Sequence, residues 1–259
     1  MNVAVAFILC LGSLAAQHTD ALESVMATRL SEERTRAAIR VLRSLQTEDA
    51  DLALSAALLQ AEHFLAAQYL DEERRPSLLR RSVKEGLTIL SQAAGRPVAD
   101  FKTLAKLPNG SLPKDAAEVL FWTTVSYGRL INTLSVFERP GAAVRFHDSL
   151  MRVVSLDETV FHGAAHRALA LYKAKAPSFL RGDKKAAFQH AVRAMQLAPE
   201  FAGNAVVLAR VALDSGQSRE RIPTLLRRGL NAPLNAFPGD EPEQARAKRR
   251  AQELLEDLD

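Results

Sequence analysis

Glu158, His162 and His166 stand four residues apart, and no other group of titratable side chains in the chain looks as much like a site. On a helix that spacing stacks all three on one face, where a carboxylate and two imidazoles could approach a divalent metal. Three ligands on one straight helix converge poorly on a single ion, however, and neither an HExxH sequence nor a cysteine accompanies them. Gly163 further weakens that turn. The pattern therefore reads as hydrogen-bonded structural histidines. His147-Asp148 suggests a general base with its orienting carboxylate, but neighbours on a helix point about 100° apart and are not expected to pair. The sequence has no GxSxG elbow, no GxxxxGK[ST] phosphate loop and no Gly-rich dinucleotide fingerprint. The chain is expected to be no enzyme and to carry no cofactor and no metal.

The elements that would hold these residues are helices. Hydrophobic residues make up 47% of the 259 and charged residues 25%, an ordinary globular balance. Alanine, leucine and arginine dominate, and they lose little on entering a helix. Alternating β-branched runs are lacking. Ala21 to Gln46 reads as one amphipathic helix, Leu52 to Leu70 as a second and Ser77 to Gln92, opened by Pro76, as a third. The segment 96–114, with Pro97, Pro108, Asn109, Gly110 and Pro113, is the longest irregular stretch. Asp115 is expected to cap a helix through Asn132, and Pro140 to open one to about Ser155. Helices at Thr159–Ala174, Lys184–Leu197, Phe201–Asp214 and Arg221–Leu230 precede a terminal one at Pro242–Leu258.

This alternation is the cadence of stacked helical hairpins. In Lys184–Leu197, Ala187, Ala191 and Ala194, followed by Pro199, occupy the offsets of the second half of a tetratricopeptide-type repeat. Small residues there let helices approach closely, and proline stops the helix. Pro76-Ser77-Leu78-Leu79-Arg80 recurs as Pro177-Ser178-Phe179-Leu180-Arg181. The expected fold is all-α: about four stacked antiparallel hairpins, degenerate tetratricopeptide-like repeats, with capping helices at both ends. One helical-repeat domain would cover 17–259.

Charge argues against nucleic acid. The net charge is +4, and even the densest basic cluster, Arg246, Lys248, Arg249 and Arg250, is followed by Glu253, Glu256 and Asp257. A nucleic-acid stripe is broader and less neutralised. Residues 1–16 differ in kind. Val3 to Ala16 is uncharged and mostly apolar, too short to span a bilayer and suited to a signal-peptide core, with Ser13-Leu14-Ala15 as a cleavage site. Its n-region lacks lysine and arginine. Cys10, the one cysteine, follows Leu9 where a lipobox has a small residue. The expected location is periplasmic or otherwise exported, or cytoplasmic if the leader is not a signal.

Phe121, Trp122 and Tyr127 form an aromatic cluster at helical spacing. Such clusters are more often core than ligand cage, and a cavity, where one exists, is expected at this helix and the 96–114 loop. With Phe121-Trp122 and Tyr127-Gly128-Arg129 in one helix, and Gly163, His166-Arg167-Ala168-Leu169 and Tyr172 in another, the chain resembles the TatT family. This is the T-component associated with tripartite ATP-independent periplasmic (TRAP) transporters. Pro177, Gly182-Asp183, Ala187, Ala191 and Pro199 complete the likeness, which covers roughly Ala116 to Leu258. Ala170 departs from it, standing where many relatives have glycine. The resemblance implies an exported, non-enzymatic helical-repeat protein that binds a periplasmic substrate-binding subunit, holds or passes an apolar solute, and assembles as a homo-oligomer. Phe121, Trp122, Tyr127, Arg129, His166 and Tyr172 are the candidate partner- or ligand-surface residues. The alternative is a general tetratricopeptide-type interaction scaffold with no transporter role.

Overall fold

A computed structural model describes residues 20–46, 51–216 and 219–258 of the protein. These residues form helices and connections, with no strand among them. Four hairpins follow one another: α3 (Leu52–Gln68) with α4 (Arg75–Ala94), α6 (Ala117–Leu130) with α7 (Arg139–Asp157), α8 (Val160–Lys175) with α9 (Lys184–Leu197), and α10 (Ala202–Asp214) with α11 (Ile222–Asn231). Helices α1 (20–27) and α2 (Glu32–Ser44) precede them, the short α5 (Phe101–Ala105) lies between the first two, and α12 (Glu241–Glu256) follows.

The first helix of each hairpin packs on its own partner and on the first helix of the next hairpin. Thus α3 meets α6, α6 meets α8, α8 meets α10, and α10 meets α12. These five run parallel as an inner layer, and α4, α7, α9 and α11 cover them outside. Ala187, Ala191 and Ala194 are fully buried, and Ala187 and Ala191 share a core with Ala170 of α8 and Ala205 of α10. A methyl group at position 170 therefore fits between α8 and α9. The close approach of α4 to α6 is tighter still: a Cβ at Gly86 would lie 1.9 Å from the Thr123 hydroxyl.

Several expectations from the sequence need correction. The Ala21–Gln46 helix is two, because the chain turns at Leu30–Ser31 and the Ser31 hydroxyl caps α2 by accepting from the Arg34 amide. The turn buries Arg29, whose guanidinium reaches Glu243 of α12 at 2.7 Å. Asp115 is not a cap; it lies in a 3-10 turn that follows Pro113 and leads into α6 without a side-chain cap. The 96–114 segment is less irregular than its prolines suggest. Asp100 and Thr103 form a reciprocal capping box that starts α5, and Phe101 stacks on Tyr127 at 3.9 Å.

A buried carboxylate ties the first layer together. Glu62 of α3 accepts from Arg43 of α2 at 2.6 Å and from Arg81 of α4 at 2.8 Å.

The α4–α6 contact predicts opposite outcomes for two glycine substitutions. Gly86→Ala should lower stability by about 1–3 kcal/mol, because the methyl has no room. Gly141→Ala, where only the flexible Arg145 side chain is near, should leave stability unchanged or raise it by up to about 1 kcal/mol. Denaturant melts of the two variants check both signs.

Candidate functional site

Two half-open cavities lie along the inner layer. One cavity of about 750 Å³ is lined by α3, α6, α8, α10 and α12, with His63, Trp122, Phe161, Arg167, Val206 and Arg246 among its walls. A second, of about 890 Å³, lies at the N-terminal ends of α3, α6, α8 and α12, bounded by Leu52, Gln60, Glu118, Val160, Phe161 and Asp240. Phe161 lines both. The two stack along the axis of the inner layer, with that ring between them.

Phe161 is there because the backbone is left-handed. Phe161, His162 and Gly163 adopt φ of 41°, 60° and 78° in succession, so the first turn of α8 winds the wrong way before the helix proper begins. Each non-glycine residue in that region costs roughly 1–2 kcal/mol. Gly163 bears the tightest contact, since a Cβ would meet the Ala194 Cα at 3.2 Å.

Two side chains offset that cost. The Arg167 guanidinium donates to the Phe161 carbonyl at 2.9 Å, to the His162 carbonyl at 2.6 Å and to Asn204 Oδ1 at 2.8 Å. Asn204, wholly buried, donates from Nδ2 to the Ala194 and Ala198 carbonyls that end α9, and to the His162 carbonyl. Arg167 also lies over the Phe201 ring at 4.5 Å and the Phe161 ring at 5.5 Å. It has no carboxylate within ion-pair distance among the described residues. Burial draws its pKa down to about 9, against a weaker opposing pull from Asp240.

Around Phe161 the inner elements each contribute a ring. His63 of α3 lies 5.6 Å from Trp122 of α6, Trp122 meets Phe161 edge-on at 4.8 Å, and Phe161 meets Phe201 edge-on at 5.6 Å. Phe237, in the loop before α12, covers His162 at 3.9 Å and meets Phe201 at 5.8 Å. This aromatic belt crosses the whole inner layer. His63 is enclosed enough that its pKa falls to about 3, first through burial and then through Arg129 and Arg246.

The belt sits in a ring of helices that closes on itself. Gln60 of α3 donates to Asp240 at 2.7 Å and to Glu243 at 3.1 Å, and Glu243 also holds Arg29. Gln244, buried beside them, accepts from the Ala202 amide and donates to the carbonyls of Glu200 and Pro233. Helix α12 is thereby pinned to α10 on one side and to α3 on the other.

The left-handed turn also undoes the metal-like face expected of Glu158, His162 and His166. His162 is swung away to Asp240, 2.8 Å from Nε2. His166 stays with Glu158, at 3.1 Å, and its other nitrogen lies 2.8 Å from His190 of α9. Arg193 completes that cluster on Glu158 and, ahead of His166, holds the carboxyl near a pKa of about 2. No group of three or more metal-ligating side chains with suitable geometry occurs among the described residues. His147 and Asp148, expected to point apart, do pair, at 2.9 Å from Nδ1 to the carboxylate. Both side chains bend toward each other from the helix surface, and the imidazole reaches what the backbone directions alone would separate.

Of the candidate surface residues, Phe121 and Trp122 are buried and line the first cavity. Arg129 stands at its edge, 3.4 Å from the His63 ring. Tyr127 is turned outward onto Phe101. His166 faces α9, and the Tyr172 hydroxyl donates to the Leu180 carbonyl at 2.7 Å, closing the α8–α9 turn. His63, Phe161, Phe201 and Phe237 were not among the candidate residues read from the sequence, and Arg167 entered only through the family likeness. They come from α3, α8, the start of α10 and the loop before α12, with Phe161 and Arg167 sharing α8.

Among the described residues no helix is long and apolar enough to cross a membrane. The family model described as TRAP transporter T-component matches residues 53–259. The protein belongs to that family, and its role is that of a component associated with a transporter. No curated protein matches the chain.

Two outcomes follow from the geometry. Arg167→Met leaves the Phe161 carbonyl and Asn204 Oδ1 without their donor and the His162 carbonyl with Asn204 alone, and should lower stability by about 2–3 kcal/mol, read from chemical unfolding. His63 and His190, held down to about 3 and about 4, exclude protons that the unfolded chain accepts near pH 6.5. Stability is therefore complete above about pH 6.5 and falls as the pH drops toward 4. Melting temperatures taken from pH 7.5 to 4 should show this decline, and His63→Gln with His190→Gln should flatten it.

Proposed function

We propose that this T-component is exported, docks the substrate-binding subunit of its transporter, and holds an apolar solute in the cavity beneath the aromatic belt. The observation that carries the reading is the cavity itself: about 750 Å³, walled by all five inner helices and floored by Trp122 and Phe161. That volume is in the range of small-molecule sites. Phe161, shared with the second cavity, is placed as the constriction on a path from one end of the ring to the other.

A general interaction scaffold offers an open concave groove to a peptide. Here α12 returns to α3 through Gln60 and Glu243 and closes that face. The closed ring favours a contained solute over a peptide ligand. The docking surface we assign to the partner subunit is the end of the stack where inner helices turn to outer ones. Phe137, 92% exposed, and Phe179, 77% exposed, stand there in the connections of neighbouring hairpins. Exposed aromatics of this size suit the buried centre of a protein interface. Export is assigned from the leader 1–16, which lies outside the described residues. One helical-repeat domain over 17–259, self-assembling beside its transporter, completes the proposal.

A neutral apolar dye, N-phenyl-1-naphthylamine, should bind with energy transfer from Trp122. Ala168→Trp, which fills the cavity from α8, should weaken that binding roughly tenfold or more. The reading fails if the dye binds equally well to the filled variant. Phe137→Ser with Phe179→Ser should weaken capture of the substrate-binding subunit while leaving dye binding unchanged.

A further inference from the structure

The wall of the first cavity carries more positive charge than the protein itself neutralises. Arg210 and Arg246 line it beside Arg249, and Arg129 stands at its edge next to His63. None of these four has a carboxylate within ion-pair distance among the described residues. The two carboxylates in the same wall are already engaged, Glu243 with Arg29 and Glu253 with Arg250.

The arginines also feel one another. Enclosure first, and then the neighbouring charges of Arg249 and Arg250, depress the Arg246 guanidinium, while Arg246 and Arg75 do the same to Arg129. Like charges gathered at the mouth of an apolar cavity repel one another, and an anion that joins them relieves that repulsion. Helix dipoles explain little of this placement. Only Arg129 occupies the last turn of its helix, and α10 and α12 have no basic residue in theirs. Arg246 lies in the first half of α12, where a dipole disfavours it.

The chemistry changes along the cavity. Toward the belt the wall is Trp122, Phe161 and Val206, with the Arg167 guanidinium there already engaged by two carbonyls and Asn204; toward Arg210, Arg246 and Arg249 it is cationic with no such partners. One end suits a hydrocarbon and the other an oxyanion. Resting on the reading that this cavity holds a solute, we infer that the solute is a single-chain organic anion. Its carboxylate sits among Arg129, Arg246 and Arg249, and its hydrocarbon body lies on Trp122 and Phe161. Arginine suits that task because its planar fork donates two parallel hydrogen bonds to a carboxylate.

Trp122, the one tryptophan of the chain, reports directly on the site. The full-length protein is titrated with dodecanoate, dodecanol and dodecyltrimethylammonium, below their aggregation limits, while tryptophan emission is followed. Dodecanoate should saturate the signal and bind roughly tenfold or more tighter than dodecanol, the effect of a charge-assisted contact. Dodecyltrimethylammonium should bind weakest. Arg246→Gln with Arg249→Gln, both at exposed positions, should bind dodecanol as the parent does and lose the preference for dodecanoate.

Equal binding of dodecanoate and dodecanol overturns the anion assignment and leaves the solute cavity standing. So does a preference that survives in the double variant. If none of the three binds to folded protein, the cavity reading falls as well, and the anion with it.

Discussion

The three-residue left-handed turn at Phe161–Gly163 survives because Arg167 and Asn204 hold its carbonyls. Without them two buried acceptors would face no donor, a loss of order 1–3 kcal/mol each on top of the strained backbone. With them the turn becomes a fixed bend. It aims Phe161 into the middle of the inner layer, sends His162 to Asp240 at the start of α12, and seats Gly163 against the end of α9. The aromatic belt and the division of the interior into two cavities depend on this one clamp, which also brings His162 to the start of α12.

Parallel inner helices impose a second order on the interior. Their N-terminal ends converge on the larger cavity, where Asp51, Glu118, Asp157 and Asp240 gather. Acidic residues are favoured at such ends, and the crowding is visible in Glu118, whose carboxyl is pushed above the ordinary range by its enclosure and then by Asp240 and Asp157. The smaller cavity, farther along the same helices, is faced by Arg210 of α10 and by Arg246 and Arg249 of α12. The two chambers on either side of Phe161 thus have opposite electrostatic character, acidic in one and basic in the other, although the whole chain is nearly balanced.

Much of the architecture was legible in the residues. Ala187, Ala191 and Ala194 as a small-residue face, followed by Pro199, mark α9, and the structure runs that helix from Lys184 to Leu197 as expected. Hairpin cadence and small-residue spacing are local signals, and they carried the fold class, while the family rested on the resemblance at Phe121–Arg129 and Gly163–Tyr172. The left-handed turn was not legible, because phenylalanine and histidine resist positive φ and nothing near them announces it. Its cause lies in Arg167, one turn on, and in Asn204, on another helix. The belt was hidden for a related reason. Trp122 was visible in its cluster with Phe121 and Tyr127, but His63, Phe161, Phe201 and Phe237 lie in four other segments, and only the packing of the inner helices brings the five rings together. His147 and Asp148 were misjudged because side-chain reach, not backbone direction, decided their contact.

The contact of Arg29 with Glu243 joins residues 214 positions apart in the chain. Stacked-hairpin proteins ordinarily touch only neighbour to neighbour, so their ends fray and their middles can melt independently. Joining α12 to the first helices removes that freedom. The free ends of the stack are tethered to each other, and loss of order in one hairpin must be felt by all of them. A linear array has in this way acquired the cooperativity of a closed domain, through the polar seam between Arg29, Gln60, Asp240 and Glu243.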